Sequence, residues 1–89
     1  MKAIITVVGK DTVGILAKVS GVCAEHNANV IDVTQTVMED MFAMVMLVQI
    51  DKLKTDLGDL RTALETVGQA SGLQIHVMHE DVFNSMHHV

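Results

Sequence analysis

Eighty-nine residues allow one domain around one core, and a chain this short buries only about 60% of the surface it exposes when unfolded. With 49% hydrophobic but only 2% aromatic residues, the packing volume has to come from Val, Ile, Leu, Ala and seven Met, and a second chain is expected to cover what one copy cannot. The net charge of -5 and six basic residues scattered from Lys2 to Arg61 exclude a nucleic-acid partner and give no attraction to an anionic membrane.

Residues 2–9 (KAIITVVG) are β-branched and apolar and end on a glycine, the pattern of a buried strand. The apolar start is broken by Thr6 and lacks a small-residue cleavage pattern, so it reads as a strand and not as a signal peptide. Residues 14–27 switch to helical spacing, with Ile15, Val19, Val22 and His26 on one face and Leu16 and Cys23 beside them. The opposite side carries Ala17, Gly21 and Ala24, either a surface that another backbone can approach closely or simply exposed helix formers.

Asn27 and Asn29 close this helix and open a strand over 29–38, in which Ile31, Val33 and Val37 alternate with Asp32, Thr34 and Thr36. Glu39-Asp40 is a tight polar turn into 41–50, so the two strands should form an antiparallel hairpin. The third strand is apolar on both faces, and helices can cover only one of them; the other face or the strand edge is expected to meet a second chain. Its apolar run, Met41 to Val48, is far short of the roughly 18–20 residues that span a bilayer.

Thr55 is the expected N-cap of a second helix, on which Leu57, Leu60, Leu64 and Val67 recur at helical spacing. Ser71-Gly72 should end it with a left-handed cap, and Leu73, Ile75 and Val77 alternate into a fourth strand. The order β-α-β-β-α-β predicts a ferredoxin-like α+β fold, a four-stranded antiparallel sheet with two helices on one face. The domain is expected over 1–80, with 81–89 a short tail that folds back on its own or a neighbouring chain.

The fold alone names no function. The informative string is GKDTVGIL at 9–16: a strand ending in Gly9, the acidic Asp11, Gly14 at the helix start, then Ile15-Leu16, followed later by Asn29-Val30-Ile31. In this βαββαβ setting the chain resembles an ACT domain over nearly its whole length and, with its FNSMHHV ending, the small bacterial proteins that consist of little else. Larger ACT proteins join the domain to an amino-acid biosynthetic enzyme or a regulator. The resemblance implies a regulatory module that binds an amino acid or similar metabolite through Asp11, Thr12, Val13, Gly14, Ile15 and Leu16, facing Asn29 and Val30 of a neighbouring subunit in a homodimer or higher oligomer.

Physical chemistry gives the loop a reason of its own. Gly9 and Gly14 let the backbone turn tightly, and the unpaired N–H groups of a first helical turn suit a carboxylate. Asp11 can cap the helix or accept hydrogen bonds from an ammonium group, and the competing reading is that these residues only end a strand and cap a helix.

Other chemistries fit less well. GKDTVG lacks the Lys-Ser/Thr that a phosphate loop needs after its second glycine. Cys23 and His26 suggest a nucleophile and base, but both fall on or beside the core face, and no third residue completes a triad. His76, His79, His87 and His88 match no metal template, because 76 and 79 have opposite strand parity and 87 and 88 are adjacent. The expectation is therefore a non-enzyme without cofactor or catalytic residues. A lone cysteine fits a reducing, cytoplasmic home. A ligand-independent interaction module for a partner enzyme or regulator is the alternative.

Overall fold

The computed structural model describes residues 1–10 and 13–86. The elements are β1 (Lys2–Lys10), α1 (Ile15–Glu25), β2 (Asn29–Met38), β3 (Met41–Gln49), α2 (Leu57–Ser71), β4 (Gln74–His79) and α3 (Glu80–Met86). The strands form one antiparallel sheet in the order β2-β3-β1-β4, which is the ferredoxin-like arrangement expected from the sequence.

Alternation along each strand decides which side is covered. Ala3, Ile5 and Val7 of β1, Phe42, Met44, Met46 and Val48 of β3, and Ile75 and Val77 of β4 face the helices and are buried. Val19 and Cys23 of α1 and Leu60 and Leu64 of α2 close on them, so unbranched Met44 and Met46 fill the centre that aromatic rings would otherwise occupy. Every buried side-chain nitrogen or oxygen among the described residues has a hydrogen-bond partner.

The hairpin turn is Glu39-Asp40 as expected, with Met38 opposite Met41 and Glu39 held at φ +57°. Two sequence expectations need correction. First, the side chain that caps α2 is Asp56, one residue beyond Thr55; its Oδ1 accepts from the Asp59 N–H at 2.8 Å. Second, a β-bulge between Val30 and Asp32 resets the parity of β2, so Val30 and Val33 pack on the core while Ile31 is 45% exposed. The residue before the first turn of α1 is Gly14, and among the described residues no side chain caps that helix. Asp11, the expected cap, and Thr12 lie outside the described residues, as do His87 and His88.

α3 follows β4 without a break and touches β1 and β4, and among the described residues neither α1 nor α2. It therefore lies on the sheet face opposite the two long helices. Ile4 and Val8 point to that same face of β1, yet Ile4 is 7% exposed and Val8 41%, so α3 roofs one end of the face and leaves the other bare.

Candidate functional site

β1 brings the chain to the first half of the site. Gly9 passes under the turn that joins α2 to β4: a Cβ there would stand 2.7 Å from Leu73 Cδ2 and 3.2 Å from the Gly72 carbonyl. A larger residue there would displace the Leu73 side chain and crowd the Gly72 carbonyl. Gly14 then takes a left-handed conformation (φ +84°, ψ +14°) as the residue before α1, and its carbonyl accepts the first helical hydrogen bond from Lys18 N–H at 3.0 Å.

The first turn beyond it carries no acidic residue, and no side chain of the described residues caps it, so its N–H groups are not taken by any of these. Val13 is fully exposed and Leu16 partly so, whereas the Ile15 side chain is buried in the core. Ile15 can therefore meet a ligand only through its backbone.

The second half is elsewhere. Asn29 opens β2 opposite Gln49, and Val30 sits half-buried opposite Val48. Lys10, the last residue before the loop, pairs with Met41 at the other end of β3. Eight strand steps of about 3.4 Å place the two halves about 27 Å apart within one chain.

Two shallow clefts flank Asn29. One, of about 310 Å³, is lined by Asn27, Asn29, Gln49, Asp51 and Lys52; the other, of about 350 Å³, by Ser20, Ala24, Asn27, Ala28, Asn29 and Val30. In the first, the amino terminus donates to Asp51 Oδ1 at 2.6 Å and Gln49 Nε2 to Asp51 Oδ2 at 2.8 Å. These two bonds hold the Asp51 carboxyl below its ordinary range. Asn27, at φ +61°, donates to the Lys52 carbonyl at 2.7 Å and so ties the end of α1 to the loop after β3.

The sequence reading named Asn29 and Val30 but not Gln49, Asp51 and Lys52, which line the cleft beside Asn29. The only signal was the change from apolar to polar at QIDK, which reads simply as the end of a strand.

Nucleophilic chemistry finds no support at Cys23. The thiol is fully buried and burial pushes its pKa up to about 11, so it stays protonated at neutral pH. His26 Nδ1–H donates to the Val22 carbonyl at 3.0 Å, a helix-end contact. His79 lies 3.5 Å from Asp81 Oδ2 and 3.2 Å from the Met1 sulfur, but no group of three or more metal-ligating His, Cys, Asp or Glu side chains gathers among the described residues. Nor, among those residues, is any helix long and apolar enough to cross a membrane.

A family model of the ACT domain matches residues 2–78. The chain belongs to the ACT-domain family. A UPF0237 protein of Methanococcus maripaludis is 48% identical over 97% of this ACT domain and 96% of its own length. An ACT domain protein from Streptococcus pneumoniae superposes with a TM-score of 0.81 at 44% identity, covering 93% of each chain. The regulatory subunit of aspartate kinase from Thermus thermophilus, in its ligand-free form, shares the fold with a TM-score of 0.67 at 28% identity, over 85% of this chain and 49% of that one.

Proposed function

We propose that this ACT domain is a cytoplasmic regulatory module, without catalysis of its own, that binds an amino acid or similar small metabolite at a site shared by two copies. ACT domains are usually small-molecule-binding regulatory modules, and the family points to regulation more than to catalysis. The observation that supports the reading is the first turn after Gly14, a set of backbone donors that no carboxylate of the described residues caps. An amino acid's carboxylate supplies the missing acceptor, and Asp11 is the proposed partner for its ammonium group.

The separation of the two halves fits a homodimer. β2 is an edge strand whose outer side pairs with nothing among the described residues. Two copies joined antiparallel along β2 would reverse one sheet against the other and bring the loop end of each beside Asn29 and Val30 of its partner. Binding would then tighten the dimer, and any partner that reads the dimer would sense the metabolite; such coupling requires different ligand affinity in the two states.

Calorimetric titration with each standard amino acid tests the reading. At least one is expected to bind the unaltered chain, and Gly14→Val to abolish that binding with the fold intact by circular dichroism, because a β-branched residue does not settle at φ +84°. Asp11→Ala should weaken it. Failure of every amino acid to bind would sink the proposal, and capture of a protein partner regardless of metabolite would favour a ligand-independent module.

A further inference from the structure

α3 is a short helix with little to hold it. Its seven residues are too few to persist on helical propensity alone, and among its described side chains Phe83 is the one apolar residue that is not exposed. A side chain at its start supplies a further tie. His79, the last residue of β4, stands immediately before Glu80, and its Nδ1 accepts from the Asp81 N–H at 3.1 Å. The imidazole does for α3 what a Ser or Asp side chain does at other helix starts, filling one of the N–H groups that a first turn leaves unpaired.

The same bond fixes the state of the ring. An Nδ1 that accepts carries no proton, so the hydrogen of the neutral imidazole is on Nε2, which donates to the Met1 sulfur 3.2 Å away. Neutral His79 satisfies both contacts at once. Protonation puts a hydrogen on Nδ1, and the cap bond is lost.

We infer that His79 makes α3 a pH-released flap, docked on the sheet while the imidazole is neutral and loosened when the ring takes up a proton. The ion pair that protonation offers in exchange is weak. Asp81 Oδ2 lies 3.5 Å from Nδ1, but the Asp81 side chain is 84% exposed, so water screens the pair. A positive ring at the start of α3 also meets the positive end of the helix dipole. The other charges around His79 are mixed in sign. Glu80 of α3 favours the proton, whereas the amino terminus and Lys2 at the start of β1 and Arg61 of α2, whose Nε donates to the Val77 carbonyl, oppose it. Asp51 of the loop after β3 is already paired with the amino terminus.

Release has a defined consequence. α3 touches β1 and β4, and Ile4, on the face it roofs, is only 7% exposed. Loosening the flap uncovers Ile4 and leaves the core between the sheet and the two long helices unchanged. Imidazoles change charge between about pH 5 and pH 8, which sets the window of the device.

Amide exchange followed by NMR at about pH 8 and about pH 5, corrected for the intrinsic rate at each pH, tests it. The Asn84 and Ser85 amides bond back into the first turn of α3, and losing one cap bond should lower their protection about fivefold on the acid side. The Leu64 amide of α2 should keep its protection. His79→Asn supplies a cap acceptor that takes up no proton, so α3 should stay protected at both pH values, and His79→Ala should show the acid level at both. An acid response of α3 that is absent, opposite in sign or undiminished in His79→Asn would overturn the inference, as would full protection in His79→Ala.

Discussion

Cys23 and His26 stand about one turn apart on α1, and their surroundings separate their roles more sharply than their spacing does. Burial raises the thiol pKa in the folded chain to about 11, from an ordinary value of 9.0. Below the lower value both states hold the proton and burial costs nothing on this account. As pH rises from 9.0 to about 11 the unfolded state ionises ahead of the folded one, so stability should fall across that window. Denaturant midpoints measured against pH should show the decline, and Cys23→Ala should flatten it. Alkylation of the native thiol at neutral pH should likewise be slow until denaturant is added.

At the scale of elements, much was legible because alternation and helical spacing are local properties. Ile5, Val7, Met44, Met46, Leu60 and Leu64 all sit where their spacing puts them. The misses arise where backbone geometry overrides pattern. The bulge at Ile31 is one extra residue in β2 and leaves no compositional mark, so strict period-two reading assigned Ile31 inward. Thr55 and Asp56 are adjacent residues of the two favoured capping types, and only the placement of Asp59 N–H chooses between them. Asp56→Ala should accordingly cost about 1 kcal/mol of unfolding free energy, and Thr55→Ala much less, as read from chemical denaturation. The candidate site divides in the same way: Gly14 and Asn29 were named from motif and their binding role is a proposal, while the cleft of Gln49, Asp51 and Lys52 depends on a loop returning to the end of α1.

The whole molecule is a thin layer with one well-covered side. α1 and α2 close one face, α3 shields only part of the other, and β2 leaves an edge unpaired. From 49% hydrophobic content in 89 residues the sequence reading expects a second chain against the third strand. What it could not supply is direction, since whether two sheets meet by edge or by face depends on where α3 lies and which strand is outermost. A charge on the outer strand, Val37→Lys, should therefore weaken the proposed edge dimer, readable as a loss of sedimentation mass.

The distance between Gly14 and Asn29 has a genetic consequence. In the proposed edge dimer each site takes its loop from one copy and its strand opening from the other, so a Gly14→Val chain and an Asn29→Ala chain damage different halves. In a mixed pair both lesions fall in one site and the other is whole. Two variants that each fail to bind should thus regain, when unfolded together and refolded in equal amounts, on the order of a quarter of the wild-type sites. The corresponding alleles would complement one another in a cell carrying both, an outcome that a site built within a single chain does not allow.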